Sequence, residues 1–292
     1  MRDDNRRAIS VIAFIGSVFS PWYAWSGRRE PENNVCINVA TYGPGGRFAM
    51  TDRGRTALRQ SPDSFTVGPS SLTWRDGRLI IDIDEYGALP ALGRVRGRIT
   101  VTPKTPVSSV EMPLTPDGAH IWRPFAPTCD IEVDLNGSGW QWRGHGYFDA
   151  NFGTRALEQD FTDWSWGRFP TGTGSTCFYD LRRIDGTHLK TGIAFDGKGG
   201  ARSVTSPPDA RLRRTLWGIE RSTPADPGYE PRQVEPMLDA PFYCRSVVRT
   251  RINDSETTGV HEVLDLRRFR SPLLKPMLAV RVPRRSGWVF KT

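Results

Sequence analysis

Ser71-Leu72-Thr73-Trp74-Arg75-Asp76-Gly77-Arg78-Leu79-Ile80-Ile81-Asp82-Ile83 reads as a β-hairpin. Two runs with β-branched and aromatic side chains meet at Asp-Gly, a dipeptide that accepts the positive φ of a two-residue turn. The pattern recurs outward. Val35 to Tyr42 is extended, Gly43 to Gly46 turns, and Arg47 to Met50 returns; Gly93 to Pro103 alternates, as do Ile131 to Leu135 and Trp140 to Asn151. Arg155 to Phe161 suggests one helical turn, and Pro224 to Pro236 a long ordered loop. Gly 29 and Pro 23 are spread along all 292 residues, and no apolar stripe of helical period persists. The fold class is therefore all-β, with short antiparallel strands joined by turns. A Pro-rich stretch from Pro113 to Pro127 reads as a linker, which divides the chain into a domain over residues 1–129 and another over residues 130–292.

Ten Trp and fourteen Phe suit either a thick sandwich core or an apolar ligand cavity. Cys36, Cys129, Cys177 and Cys244 are far apart, and so are His120, His145, His188 and His261, so no metal-ligand spacing is present and a reduced compartment is implied. Gly43-Pro44-Gly45-Gly46 lacks the Lys-Ser/Thr and helix of a phosphate loop, so a nucleotide cofactor is not expected. Arg6 and Arg7 before the apolar run Ile9–Phe19 imitate a signal peptide. No small-residue cleavage site follows, and the run is too short to span a bilayer, so it reads as a buried first strand and a lipophilic loop.

The formal charge of +8 invites a polyanion. From Arg267 to Lys291 the cations Arg267, Arg268, Arg270, Lys275, Arg281, Arg284, Arg285 and Lys291 interleave with Leu273, Leu274, Met277, Leu278 and Val280, without an acidic residue. That mixture suits a lipid headgroup boundary better than a nucleic-acid groove. The same pattern also describes surface arginines around a terminal core strand.

Gly144-His145-Gly146-Tyr147-Phe148-Asp149-Ala150-Asn151-Phe152-Gly153, with Asp163-Trp164-Ser165-Trp166-Gly167-Arg168-Phe169 beyond it, carries the chemistry. On an extended strand His145, Tyr147, Asp149 and Asn151 share one face, and Phe148, Ala150 and Phe152 the other, which is expected to be core. If the polar face lines a cavity, Asp149 loses hydration and becomes an acid at neutral pH. A half-solvated strand shows the same alternation, so the pattern alone leaves both readings open.

Long motifs carry a resemblance. Ile12-Ala13-Phe14-Ile15-Gly16-Ser17-Val18-Phe19-Ser20-Pro21-Trp22-Tyr23, Cys36-Ile37-Asn38-Val39-Ala40, Pro116-Asp117-Gly118-Ala119-His120-Ile121-Trp122-Arg123-Pro124 and the two segments above resemble the carotenoid 1,2-hydratase (hydroxyneurosporene synthase) family over essentially the whole chain. The resemblance implies a cofactor-independent hydro-lyase of carotenoid biosynthesis in purple photosynthetic bacteria, converting neurosporene or lycopene to the 1-hydroxy product. It also implies two packed lipocalin-like β-barrels or sandwiches.

Hydrating an isolated alkene requires a strong neutral acid in a dry pocket, which a buried carboxyl supplies better than a histidine. Asp149 is the chosen acid, with Tyr147 or Asn151 orienting it or the water. Trp164 and Trp166 share a strand face and are the leading groups to stabilise a cation. Trp22, Tyr23 and Trp25 are placed at a tunnel mouth, and Phe148 and Phe152 in the apolar surround. Asp163 is expected to bond backbone or an arginine such as Arg168. Glu262 and Asp265 are the rival acids, and a second carboxylate suits a base for the attacking water. The expected partners are an acyclic carotenoid, water and membrane lipid, with the protein peripheral on the cytoplasmic face. A non-catalytic carotenoid carrier and a polysaccharide-active β protein share parts of this pattern.

Overall fold

The computed structural model describes residues 1–2, 7–89 and 92–285. Its strands, in chain order, are β1 (Ala8–Ile15), β2 (Val35–Tyr42), β3 (Phe48–Met50), β4 (Leu58–Ser61), β5 (Ser64–Val67), β6 (Ser70–Arg75), β7 (Arg78–Gly87), β8 (Gly93–Pro103), β9 (Met112–Pro113), β10 (His120–Leu135) and β11 (Gln141–Gly153). They continue as β12 (Phe161–Pro170), β13 (Ser175–Arg183), β14 (His188–Phe195), β15 (Ala201–Val204), β16 (Asp209–Leu212), β17 (Arg221–Pro224), β18 (Arg232–Asp239), β19 (Tyr243–Ile252) and β20 (Ser255–Asp265). Four short α-helices accompany them: α1 (Pro21–Trp25), α2 (Leu157–Asp160), α3 (Leu266–Phe269) and α4 (Leu274–Arg281). The chain is thus all-β and antiparallel. Among the described residues the ladders form open sheets and do not close into a barrel.

Two compact units are interleaved in sequence. One comprises Met1–Pro103, Cys129–Gly146 and Pro272 onward; the other comprises Lys104–Thr128 and Tyr147–Ser271. The unit changes at 103/104, 128/129, 146/147 and 271/272, so β10 and β11 each contribute residues to both.

In the first unit the order is β1-β2-β3-β7-β6-β5-β4. β8 pairs with β7, and Cys129–Leu135 of β10 with β8. The hairpin forms as its sequence requires. Arg75 opposes Arg78, and Asp76 and Gly77 take φ of 51° and 72° at its tip. Below it, Arg53 makes a two-pronged ion pair with Glu85, whose Oε1 also accepts from Ser70 Oγ at 2.8 Å. β1 forms, but it is largely half-buried, because β2 covers only its hydrogen-bonding edge. The aromatic segment after it is a helix rather than a loop: Ser20 Oγ accepts from Tyr23 N at 3.2 Å, and Pro21 starts the helix where a missing N–H is tolerated. Arg6 and Lys291 lie outside the described residues.

In the second unit a seven-stranded sheet runs β15-β14-β13-β12-β20-β19-β18, beside the β16-β17 ribbon. Two loop readings are corrected. The segment read as a linker contains the start of β10, where His120, Trp122, Pro124 and Ala126 are buried at every second position. Its prolines hid that alternation. Pro236 likewise lies within β18, an edge strand whose register slips on both sides of it, which is where a sheet accepts proline.

Candidate active site

Antiparallel register decides which side chains meet. On β12, Trp164 opposes Leu181 and Leu264, Trp166 opposes Tyr179 and Glu262, and Arg168 opposes Cys177 and Val260. Directly opposed residues share a sheet face. One face therefore carries Trp164, Trp166, Arg168, Tyr179, Cys177 and Glu262, joined by Arg245 and Tyr243 from β19. Asp163, Ser165 and Asp265 occupy the reverse face.

Residues of β10 and β11 cover the first face. The Tyr147 ring lies 5.3 Å from Trp166, with the Arg168 guanidinium 5.8 Å over it. Trp122 meets Tyr179 edge-on at 5.0 Å, and Tyr179 meets Trp164 at 5.4 Å. Asp149 sits among these rings. Its Oδ2 accepts from Tyr147 Oη at 2.6 Å and from Trp122 Nε1 at 2.7 Å. Oδ1 accepts no hydrogen bond from the described residues.

The residue retains partial exposure, but the carboxyl itself has lost most of its hydration among the rings. Burial is the largest effect and pushes it up to about 6; the Tyr147 and Trp122 hydrogen bonds pull it back, the charge of Glu262 raises it, and Arg245 lowers it. Burial, followed by the nearby Asp149 charge, drives the Tyr147 and Tyr179 phenols well above their ordinary value. Both remain neutral donors. The Cys177 thiol is raised to about 12 by burial, so it stays protonated. Glu262 is already engaged, by Arg245 Nε at 2.8 Å and Tyr243 Oη at 2.7 Å.

A second polar contact braces the start of β10. Arg155 grips Asp160 from one side and holds its carboxyl below the usual range, so His120 Nε2 donates to Asp160 Oδ2 at 2.7 Å. Gly153 permits this arrangement, since a Cβ there would stand 2.9 Å from His120 Nδ1.

Tyr147, Asp149, Trp164 and Trp166 come together, and Asn151 joins at the margin, its Oδ1 3.5 Å from Tyr179 Oη. Others do not. Phe148 stacks on Phe125 at 5.1 Å, while Phe152 is 51% exposed instead of core, in the exposed end of β11 with Asn151 and Gly153. Trp22 and Tyr23 belong to the first unit, where Trp22 Nε1 donates to Val282 O at 2.7 Å. Asp163 pairs with Arg267, not Arg168, whose Nε donates to Pro127 O. Asp265 caps α3 by accepting from Arg268 N at 3.0 Å. Asp265→Ala is accordingly expected to cost about 1 kcal/mol in denaturant unfolding and to leave turnover within about threefold of the parent.

Trp122 and Tyr179 are the site residues that sequence reasoning missed. Trp122 lies in the Pro-rich stretch that reads as a linker, and Tyr179 becomes visible only through the β12–β13 register. The Trp166 indole nitrogen is buried without a hydrogen-bond partner among the described residues. No group of three or more His, Cys, Asp or Glu among them is arranged to hold a metal ion. All four cysteines are buried. A cleft of about 390 Å³ lies elsewhere on this unit, lined by Asp117, Arg155, Asp160, Arg183 and Asp185 among others, and Asp149 is not part of its wall.

Fold and site together define an antiparallel β protein that holds a carboxyl, raised by burial, inside a nest of rings. A profile of the carotenoid hydratase CrtC family matches residues 11–291, and the chain belongs to that family. It is 61% identical over 280 residues to the acyclic carotenoid 1,2-hydratase of Cereibacter sphaeroides, covering 96% of this chain and all of the relative. The corresponding protein of Rhodobacter capsulatus is 58% identical over 282 residues, with the same coverage. Among solved structures, the crystal structure of CghA with Sch210972 aligns with a TM-score of 0.44 and 12% identity, covering 88% of this chain and 86% of that one.

Proposed function

We propose that this chain is a carotenoid 1,2-hydratase that adds water to the terminal double bond of neurosporene or lycopene, with Asp149 as the acid. The observation that carries this reading is the Asp149 carboxyl, raised by burial to about 6, with one oxygen held by two neutral donors and the other accepting no hydrogen bond among the described residues. The acidic proton therefore resides on Oδ1. It passes to C2 of the terminal isoprene unit as the C1=C2 π pair forms the new C–H bond, leaving a tertiary cation at C1. Water supplies the C1–O bond, and the proton released from the oxonium returns to the carboxylate. The sum is one water added and no electrons transferred, so the reaction balances with no cofactor.

The rings answer the needs of the cation. Trp166, Tyr147 and Trp164 offer faces that cannot add to it, each worth roughly 2 kcal/mol when desolvated. Glu262 contributes negative charge from the same sheet face. Because Arg245 and Tyr243 occupy both its oxygens, it is less suited than Asp149 to deliver a proton.

Purified protein incubated with detergent-dispersed lycopene in buffer free of metals and nucleotides is expected to yield a more polar product heavier by one water. Binding without conversion would instead favour a carotenoid carrier. No helix among the described residues is long and apolar enough to cross a membrane. We place the protein peripherally, on the cytoplasmic face of the membrane that dissolves its substrate.

A further inference from the structure

We propose that the outward stripe of α4, extended by Leu89 and Leu92, is the surface through which the first unit inserts into an anionic lipid bilayer. This deepens the hydratase reading, because a membrane-dissolved carotene explains why a bilayer is the partner.

α4 presents an apolar stripe to solvent. Leu273, Met277 and Val280 recur at i, i+4 and i+7, the spacing of a single helical face, yet they are 82%, 48% and 59% exposed. Pro276, between them, is exposed as well. The residue turned inward is Lys275, 8% exposed. A helix folded for water buries its apolar stripe and solvates its lysine. This one turns Leu274 and Leu278 partly inward but leaves a second apolar stripe in solvent, an arrangement suited to lying in the headgroup plane with that side in acyl chains.

Neighbouring elements extend the surface. Arg281, at the end of α4, lies over the Phe48 ring at 4.9 Å and donates from Nη1 to Leu89 O at 3.4 Å. That contact ties the helix to the β7–β8 connection, where Leu89 and Leu92 are 57% and 68% exposed. α1 packs against α4 and exposes Trp25, a residue suited to the headgroup level.

Charge selects the partner. Arg281 and Arg285 follow the stripe, with Arg284 between them paired to the buried Asp52; Arg28 and Arg29 follow Trp25, and no acidic residue occurs after Asp265. Glu30 and Glu32 are the nearby acids in sequence, and Glu32 is paired with Arg55. Apolar side chains with arginines beside them in sequence match anionic headgroups over acyl chains.

The test uses the full chain and carotenoid-free vesicles. The parent is expected to sediment with phosphatidylglycerol vesicles, to do so far less with phosphatidylcholine, and to be released by salt. Leu273→Ser/Met277→Ser/Val280→Ser is expected to lower the partition coefficient roughly tenfold or more while keeping the parent's circular dichroism. Equal sedimentation of the two proteins, or failure of the parent to bind phosphatidylglycerol, overturns the proposal. So does a parent that is dimeric in buffer alongside a monomeric variant, since the stripe would then cover a second copy. Turnover in detergent micelles is measured separately, so loss of hydratase activity there would sink the catalytic reading and leave the lipid surface standing.

Discussion

Asp149→Asn is expected to lower lycopene hydration by about 10²–10⁴-fold while leaving the protein folded, the loss typical for removing a positioned general acid. Asn retains an oxygen where Oδ2 accepts from Trp122 and Tyr147, so the aromatic nest keeps its anchor. What disappears is the dissociable proton. Stability supplies the control. A carboxyl raised from 3.8 to about 6 on folding contributes stability that is fully present below about pH 4 and lost as pH rises through about 6. At pH 8 the native protein therefore bears a buried charge that the amide lacks. The shift corresponds to about 3 kcal/mol, reduced to about 1–2 kcal/mol by residual hydration of a half-buried group. The variant should consequently unfold at a higher temperature than the parent at pH 8, with the difference vanishing near pH 4. An inactive variant that is also less stable at pH 8 would mean that the carboxylate braces the fold, and the assignment of the acid would fail.

How the residues are dispersed explains what the sequence could reveal. Asp76-Gly77 set the turn of the β6–β7 hairpin by local sterics alone, and β2 and β8 were legible at their full lengths for the same reason. Tyr147 and Asp149 were legible as a pair because strand period places i and i+2 on one face, and their hydrogen bond is that local. Trp122 is 27 residues from Asp149 along the chain and sits between prolines that signal a turn when read without a partner strand. Only pairing of β10 with β11 brings its indole to the carboxyl. The choice between Glu262 and Asp265 likewise needed the β12–β20 register, because a slip of one residue would exchange their faces. Phe152 was misplaced for a related reason: period two fixes the side of a strand, not whether anything covers that side.

Tyr147→Phe should move the pH profile in a direction that separates orientation from proton donation. In the parent, log(kcat/KM) is expected to be level below about pH 6 and to fall tenfold per pH unit above it, since only the protonated Asp149 reacts. The Tyr147 hydroxyl, 2.6 Å from Oδ2, stabilises the ionised form and so lowers the Asp149 pKa. Its removal destabilises the carboxylate, raises that pKa, and shifts the falling limb alkaline by about one unit, the scale of one charge-assisted hydrogen bond. A weaker acid also transfers its proton more slowly, so the acid plateau should drop. The ratio of variant to parent activity must then rise between pH 5.5 and pH 8. Trp122→Phe, which deletes the other donor to the same oxygen, should shift the limb in the same direction. Were the phenol itself the proton source, Tyr147→Phe would instead depress the rate equally at every pH, for burial holds that hydroxyl neutral far above the range of the assay. A parallel drop with an unmoved limb would therefore transfer the acid role from Asp149 to Tyr147.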